Sequence, residues 1–134
     1  MAQYTPYPVE LITPEGAAYA DDAQQVIAPG AAGKLGILAN HAPLVSLLNA
    51  GELRIIDADG AVHRYATSAG FLQVRGNRAL VLVSEAVASD QIDAADARTR
   101  LDQALAAVES AEAGDLEHAQ RELAFAEALV AASE

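Results

Sequence analysis

The feature that most constrains the fold is a change of hydrophobic period near Ser89. Before it, short apolar runs alternate with turn signals such as Pro14-Glu15-Gly16 and Asp57-Ala58-Asp59-Gly60, which is typical of an all-β sandwich or barrel. After it, apolar residues recur at steps of three and four, the period of an amphipathic helix. The sequence therefore predicts a β-domain over residues 1–87 and a helical hairpin over 88–134.

Within the β-domain, the turn signals predict where strands begin and end. Residues 9–13 and 23–28 each read as a strand, and we expect Pro29-Gly30 to end the second one. Residues 53–65 read as a β-hairpin, because an Asp-Gly step favours the positive backbone angles of a tight turn. Residues 79–83 are apolar on both faces, which indicates a central strand.

The helical part is predicted to be an antiparallel pair of helices. Asp90 is expected to cap the first helix, and Gly114-Asp115 to end it and cap the second. The seam is mostly alanine, which buries little apolar area per residue. The hairpin should therefore be marginal unless it rests on something else, which makes it a candidate moving part.

Charge and composition exclude several classes of function. The net charge of −11 disfavours nucleic acid or an anionic lipid surface as a partner, because both attract clustered lysine and arginine. The absence of cysteine excludes disulfides and thiolate metal sites. We expect no secretory signal and no membrane-spanning segment, and hence a protein that stays in the cytoplasm.

Residues 29–44 hold three closely spaced glycines between two prolines, which predicts a shaped loop. A phosphate-binding loop is disfavoured, because two residues separate Gly30 from Gly33 and Leu35 follows Lys34 where that motif needs a hydroxyl. The sequence signals for a metal site or a catalytic site are weak as well. His41, His63 and His118 have no metal-like spacing, so no metal is expected, and no serine stands in a nucleophile context, so no catalytic residue is assigned.

A family resemblance rests on motifs in this same stretch. It is carried by the segments Pro29-Gly30-x-x-Gly33-x-x-Gly36-Ile37-Leu38-x-x-His41-Ala42-Pro43-Leu44, Gly51-x-Leu53-x-Ile55 and Gly70-Phe71-Leu72-x-Val74-x-x-Asn77. Together with the order of the two parts, these segments closely resemble the epsilon subunit of bacterial F-type ATP synthases. The resemblance covers nearly the whole chain.

The resemblance implies a fold and a role. It implies a flattened β-sandwich of about ten strands in two five-stranded sheets, followed by the two-helix hairpin. It also implies a non-catalytic rotor subunit of a proton-transporting complex, which couples proton flow to ATP synthesis. Its partners would be the gamma subunit, the c subunits of the rotor ring and the alpha/beta head. The protein would then lie peripherally on the cytoplasmic face of the plasma membrane, held there only through the complex.

Carried over by position, the resemblance assigns a surface for the gamma subunit and the rotor ring. Its residues are Gly30, Gly33, Lys34, Leu35, His41, Ala42 and Pro43. The alternative for the glycines is that they only turn corners of the sandwich. A second set is expected to be buried in the sandwich: Leu53, Ile55, Phe71, Val74 and Val81.

The hairpin departs from the family. Many bacterial members bind ATP there through Ile/Leu-Asp-x-x-Arg-Ala, and the matching residues here are Ile92, Asp93 and Ala97, with Arg98 and Arg100 nearby. Asp96 replaces the motif arginine, which turns attraction for phosphate into repulsion. We therefore expect weak or absent ATP binding, and no cofactor.

The hairpin's charge also bears on regulation. In the family the extended hairpin restrains ATP hydrolysis by pressing basic residues against an acidic segment of the beta subunit. Residues 90–134 carry eleven acidic and three basic side chains, so such pairing would be unfavourable here. A restraining role could then rest only on apolar contacts.

One alternative from another class stays open. The chain could be a free-standing sensor of a nucleotide or another small ligand, with a hairpin that moves on binding. A closed, polar-lined pocket would favour the sensor, whereas an exposed apolar face on the sandwich would favour the docking subunit.

Overall fold

The computed structural model describes residues 4–134, and these fold into nine strands and two long helices. The strands are β1 (Tyr7–Thr13), β2 (Gly16–Gly30), β3 (Gly33–Ile37), β4 (Leu44–Leu48), β5 (Gly51–Asp57), β6 (Val62–Thr67), β7 (Gly70–Arg75), β8 (Arg78–Val83) and β9 (Ala86–Ala88). A short 3-10 turn at Ser89–Gln91 leads to α1 (Ala94–Ser110) and α2 (Leu116–Ala132).

The strands form a sandwich of two five-stranded layers that share the long strand β2. In the first sheet the order is β4, β7, β8, β1 and the first half of β2. In the second sheet it is β3, the second half of β2, β5, β6 and β9. Nine strands thus occupy ten places, which confirms the sandwich that the sequence suggested. β8 lies between β1 and β7, as its apolar faces indicate.

The change of sheet in β2 occurs around Gln24. Ala23 is the last residue to pair with β1, and the pairing with β5 shifts register between Ala23 and Gln25. The extra residue, Gln24, is buried, and its side chain accepts a hydrogen bond from the Tyr4 N–H and donates one to the Asp57 carbonyl. A bulge of this kind bends a strand sharply, and here its polar side chain is satisfied inside the fold.

The core lies between the two sheets and is filled by alternate residues of each strand. Leu53, Ile55, Val74 and Val81 are all buried, as expected. Phe71 was expected to be buried as well, and this prediction is wrong: its side chain is 37% exposed. The reason is the two-residue period of a strand, which points Leu72 and Val74 inward and the residues between them outward.

The predicted end of β2 lies two residues too early. Pro29 and Gly30 are the last two residues of the strand and pair with Lys34 and Gly33 of β3. Pro29 is tolerated because the pairing of β2 with β5 has already ended at Ile27, so no carbonyl of β5 needs the missing N–H donor. Residues 29–37, expected to form a loop, are instead mostly a β-hairpin.

Asp57 explains the turn between β5 and β6. Its Oδ1 accepts hydrogen bonds from the N–H groups of Asp59 and Ala61, both at 2.9 Å, and its Oδ2 lies 2.8 Å from His63 Nε2. The His63 hydrogen bond is the main cause that holds the pKa of Asp57 below its ordinary value. The carboxylate therefore closes the hairpin that the Asp-Gly step predicts.

The helix caps differ partly from expectation. Asp90 lies in the 3-10 turn and does not cap α1; the N-cap is Asp93, whose side chain accepts a hydrogen bond from the Asp96 N–H at 3.0 Å. α1 ends at Ser110, before Gly114, while Asp115 does occupy the N-cap position of α2, without a side-chain cap bond. Capping requires the side chain to reach the N–H two or three residues ahead, and Asp93 is placed to do so.

The hairpin folds back on the sandwich through α2. This helix packs on β5 and β6, and a second buried cluster forms there from Ala66, Ala97, Phe125, Ala128, Leu129 and Ala132. The alanine-rich hairpin thus gains the support that its own seam lacks. Among residues 4–134, neither helix has the length and hydropathy that a bilayer crossing needs.

We predict that Gly70→Ala destabilises the sandwich by about 1–3 kcal/mol, a typical cost of overpacking. Gly70 begins β7, and an added Cβ would collide with the carbonyl oxygen of Leu82 in the neighbouring strand. Urea denaturation of both proteins measures the loss. Gly114→Ala is the matched control, because nothing lies within 4 Å of its added Cβ. Equal stability of the two variants would contradict this account of the β7–β8 packing.

Candidate partner-docking surface

The outer face of the first sheet is unusually apolar. Val45 and Leu47 of β4 are each 71% exposed, and Phe71 of β7 lies beside them. Ile12, Leu80 and Leu82 continue the same face and are half-buried. We call these six residues the docking face, because a contiguous exposed apolar patch on a soluble domain marks an interaction site.

The strand register places the docking face residues next to one another. One row across the sheet runs Leu47, Phe71, Leu82 and Ile12, and the next runs Val45, Gln73, Leu80 and Glu10. Side chains directly opposite on neighbouring strands lie in contact distance. The face therefore presents a continuous apolar row with a more polar row beside it.

The second sheet differs, because α2 covers part of its outer face. Phe125 and Leu129 of α2 are buried in one cluster with Ala66 of β6. The face that remains open carries the charged group Glu52, Arg54 and Arg64, in which Glu52 bridges the two arginines. These two hydrogen bonds lower the pKa of Glu52 although burial, the largest single influence, opposes them.

The residues that the sequence proposed for partner contact do not form one cluster. Gly30, Gly33, Lys34 and Leu35 belong to the β2–β3 hairpin at one end of the sandwich. Its turn lies against the end of β4, where the Ala31 N–H donates to the Leu47 carbonyl. The edge strand β3 then runs for five residues, from Gly33 to Ile37, along β2.

The other three candidates, His41, Ala42 and Pro43, lie exposed at the opposite end of β3. His41 Nδ1 is 2.7 Å from the Ala42 carbonyl oxygen, and the neighbouring Asn40 N–H donates to Asn77 Oδ1 at 2.7 Å. This bond ties the loop to the β7–β8 turn. The candidate residues therefore mark two ends of one sheet edge.

Backbone geometry accounts for the two glycines of the hairpin. A Cβ on Gly30 would lie 2.5 Å from the Gly33 carbonyl oxygen, and Gly33 has φ +133°, a conformation that favours glycine. Both therefore shape the turn, as the alternative interpretation proposed. Contact with a partner stays a prediction for these residues.

The candidate nucleotide residues of the hairpin have structural partners. Ile92 packs against the α2 cluster, Asp93 caps α1, and Ala97 is buried between the helices. Arg98 Nη2 lies 3.7 Å from a carboxylate oxygen of Glu134. Ile92, Asp93 and Ala97 therefore have structural roles, whereas Arg98 is largely exposed with one long ion pair.

Arg100 connects α1 to both the sandwich and α2. Its Nη2 lies 3.2 Å from Glu85, which follows β8, and 3.3 Å from Glu122 of α2. The guanidinium also lies over the ring of Phe125, 4.9 Å from the centroid, within the range of a cation–π interaction. Arg100 is therefore held by internal carboxylates and an aromatic ring.

Comparison with known proteins identifies the family. Residues 7–89 match the family model described as the ATP synthase Delta/Epsilon chain beta-sandwich domain. An ATP synthase epsilon chain from Syntrophomonas wolfei is 38% identical over 96% of this chain and 93% of its own length. The chain belongs to the ATP synthase epsilon chain family. Another epsilon chain, from Pelotomaculum thermopropionicum, is 38% identical over 73% of this chain and 75% of its own length.

Solved structures agree on the fold. A chain in the structure of the Euglena gracilis mitochondrial ATP synthase, described as OSCP/F1/c-ring, superposes with a TM-score of 0.81 at 23% identity. The match covers 96% of this chain and 82% of that one. At this identity the comparison supports the arrangement of the sandwich and the two helices.

The sequence analysis missed the docking face. Two of its six residues, Val45 and Leu47, lie in the apolar run of residues 44–48, to which the sequence analysis assigns no faces. The local pattern gives no signal for it, because alternation about the polar Ser46 would place Val45 and Leu47 inward, whereas both are exposed. α2 covers part of the second sheet and so leaves the outer face of the first sheet open to a partner. No local sequence pattern shows how α2 packs.

We predict that Arg100→Ala loosens α1 and lowers the stability of the hairpin by about 1 kcal/mol. Hydrogen exchange of the α1 amides in the full chain measures the change, which should be faster exchange along α1. Arg98→Ala is the control, because Arg98 is well exposed and has one distant ion pair. Equal exchange in the two variants would show that Arg100 does not hold the hairpin.

Proposed function

We propose that this chain is a non-catalytic subunit of the central stalk of a proton-transporting ATP synthase, and that its docking face binds the gamma subunit. The observation that carries the proposal is the exposed apolar row of Leu47, Phe71, Leu82 and Ile12 on a rigid sandwich. Burial of such a row contributes roughly 25 cal/mol per Å². A partner that covers it would couple the sandwich tightly to the rotor.

The mechanical role follows from the closed architecture. The two sheets share β2 and enclose one core, so the sandwich moves as one unit and can transmit torque between subunits. The exposed end at the β2–β3 hairpin, with Lys34 and Leu35, is the part we assign to the polar loops of the rotor ring. His41, Ala42 and Pro43 then lie towards the gamma subunit. The similar Euglena gracilis structure is an OSCP/F1/c-ring assembly, which supports a position of this chain beside the rotor ring.

The hairpin is the regulatory part of the proposal. In the described structure it is folded against the second sheet, and its outer side exposes Leu105 and Leu116. Its three arginines, Arg98, Arg100 and Arg121, all form ion pairs within the chain. A restraint on ATP hydrolysis by the alpha/beta head would therefore act through these apolar side chains and not through basic ones.

ATP is not part of the proposed mechanism. Arg100, near the degenerate motif, is engaged by Glu85 and Glu122, and Asp96 stands at the motif arginine position. Phosphate would have to displace these carboxylates from the Arg100 guanidinium. We propose that internal ion pairs take the place of a nucleotide in holding the folded hairpin.

The ligand-sensor alternative has less support. The cleft between α2 and the turns after β6 and β8 has a volume of about 320 Å³ and includes Glu85 and Glu122 among its lining residues. These carboxylates disfavour a nucleotide, and the apolar docking face has no use in a free-standing sensor. We therefore place the protein on the cytoplasmic face of the plasma membrane, attached peripherally through the synthase complex.

We predict that Leu47→Asp weakens binding to the cognate gamma subunit by at least about 2 kcal/mol, roughly 30-fold in Kd. A carboxylate in the apolar row would lose its hydration without gaining a partner. Calorimetric titration of the full chain with the gamma subunit measures the change, and circular dichroism checks the fold.

Val62→Asp is the matched control for this experiment. Val62 is also an exposed apolar strand residue, 54% accessible, but it belongs to β6 in the other sheet. Its variant should bind the gamma subunit like the parent chain. Unchanged binding by Leu47→Asp, or equal losses in both variants, would contradict the assignment of the docking face.

A further inference from the structure

Most basic side chains of this acidic protein are neutralised within the chain. All eight lie in residues 4–134, and five of them form ion pairs: Arg54, Arg64, Arg98, Arg100 and Arg121. Within the same part of the chain, Lys34, Arg75 and Arg78 have no ion-pair partner. Two of these three stand side by side.

Arg75 and Arg78 face each other across the tight turn between β7 and β8. They are the last pair of the β7–β8 ladder, and both are exposed. The turn residues Gly76 and Asn77 have φ +58° and +57°, which is typical of a two-residue hairpin that fixes its flanking residues directly opposite one another. Like charges in that arrangement are destabilising, and no carboxylate within residues 4–134 pairs with them.

The two arginines extend the docking face. Outward positions alternate along each strand, so Arg75 follows Phe71 and Gln73, and Arg78 precedes Leu80. A shallow concavity of about 200 Å³ lies there, lined by Glu10, Gln73, Arg75, Arg78, Ala79 and Leu80. Glu10 lines the same concavity without forming an ion pair with either arginine, so both guanidinium groups remain available.

We propose that Arg75 and Arg78 form a carboxylate-binding pair that takes an aspartate or glutamate side chain of the protein partner covering the docking face. This inference rests on the proposed function. A guanidinium group offers forked donors that match a carboxylate. The neighbouring row of Val45, Gln73, Leu80 and Glu10 is mixed, and beyond it lies the apolar row that contains Leu47 and Phe71. A protein surface is the partner that presents apolar area and a carboxylate together.

Charge explains why such a pair is useful here. The chain carries a net charge of −11, so it repels an acidic surface overall, and the unpaired bases are the places where such a surface is attracted. A local patch of opposite sign steers the encounter and fixes the register of an interface whose apolar row is not directional. The repulsion between Arg75 and Arg78 in the free chain is then relieved on binding.

The test is a double charge reversal, Arg75→Glu with Arg78→Glu, assayed for binding to the cognate gamma subunit by the full chain. We expect the association rate and the affinity to fall at least tenfold at about 50 mM salt, and the difference to shrink near 500 mM, where charges are screened. The neutral variant Arg75→Gln with Arg78→Gln should show a smaller loss in the same direction.

The matched control is Arg98→Glu with Arg121→Glu, which changes the net charge by the same amount on the helices. If both double reversals weaken binding equally, the effect is one of overall charge and the proposal is overturned. Full binding by the Arg75/Arg78 reversal while Leu47→Asp binds poorly would overturn the carboxylate pair alone. Full binding by both would overturn the docking face as well.

A lipid phosphate is the competing ligand for two exposed arginines. Sedimentation with phosphatidylglycerol vesicles tests it. Vesicle binding by the parent chain that is lost in the Arg75/Arg78 reversal, with gamma binding unchanged, would assign the pair to a membrane surface and contradict the proposal. Absence of vesicle binding, together with the salt-dependent loss of gamma binding, is the expected result.

Discussion

The structure depends on β2, whose fifteen residues serve both sheets of the sandwich. Its first half pairs with β1 and its second half with β5 and β3, with the bend at the buried Gln24 between them. This one strand fixes how the two layers lie on each other, and hence which side chains are enclosed. The same closure also sets which side chains lie on the two outer faces.

The two outer faces differ because the chain's own helix α2 covers part of one of them and leaves the other open. α2 packs on the second sheet through Phe125 and Leu129. Arg100 of α1 forms ion pairs with Glu85, which follows β8, and with Glu122 of α2. The first sheet keeps its apolar row open, with Val45 and Leu47 each 71% exposed. A sandwich in which a helix covers one outer face while an apolar row on the other stays exposed is suited to bind a neighbouring subunit through that row.

Local sequence patterns predict the parts whose cause is local. The Asp57 turn, the alternating core strands and the period of the helices were all visible in the sequence, as was the family. Phe71 and Asp90 were misassigned because strand phase and cap geometry depend on the neighbouring residues. The first half of β2 was missed, since residues 17–22 are mostly exposed and show no alternation. The packing of α2 and the openness of the docking face are tertiary, and no local pattern specifies them.

In the assembled synthase, the outer face of the first sheet should be covered by a partner and the open part of the second should not. Hydroxyl-radical footprinting of the free chain and of the assembled complex, read out by mass spectrometry, distinguishes the two faces. Oxidation of Val45, Leu47 and Phe71 should fall strongly on assembly, while oxidation of Val62 should be unchanged. Equal oxidation of Leu47 and Phe71 in both states, or protection of Val62 instead, would contradict this assignment of the faces.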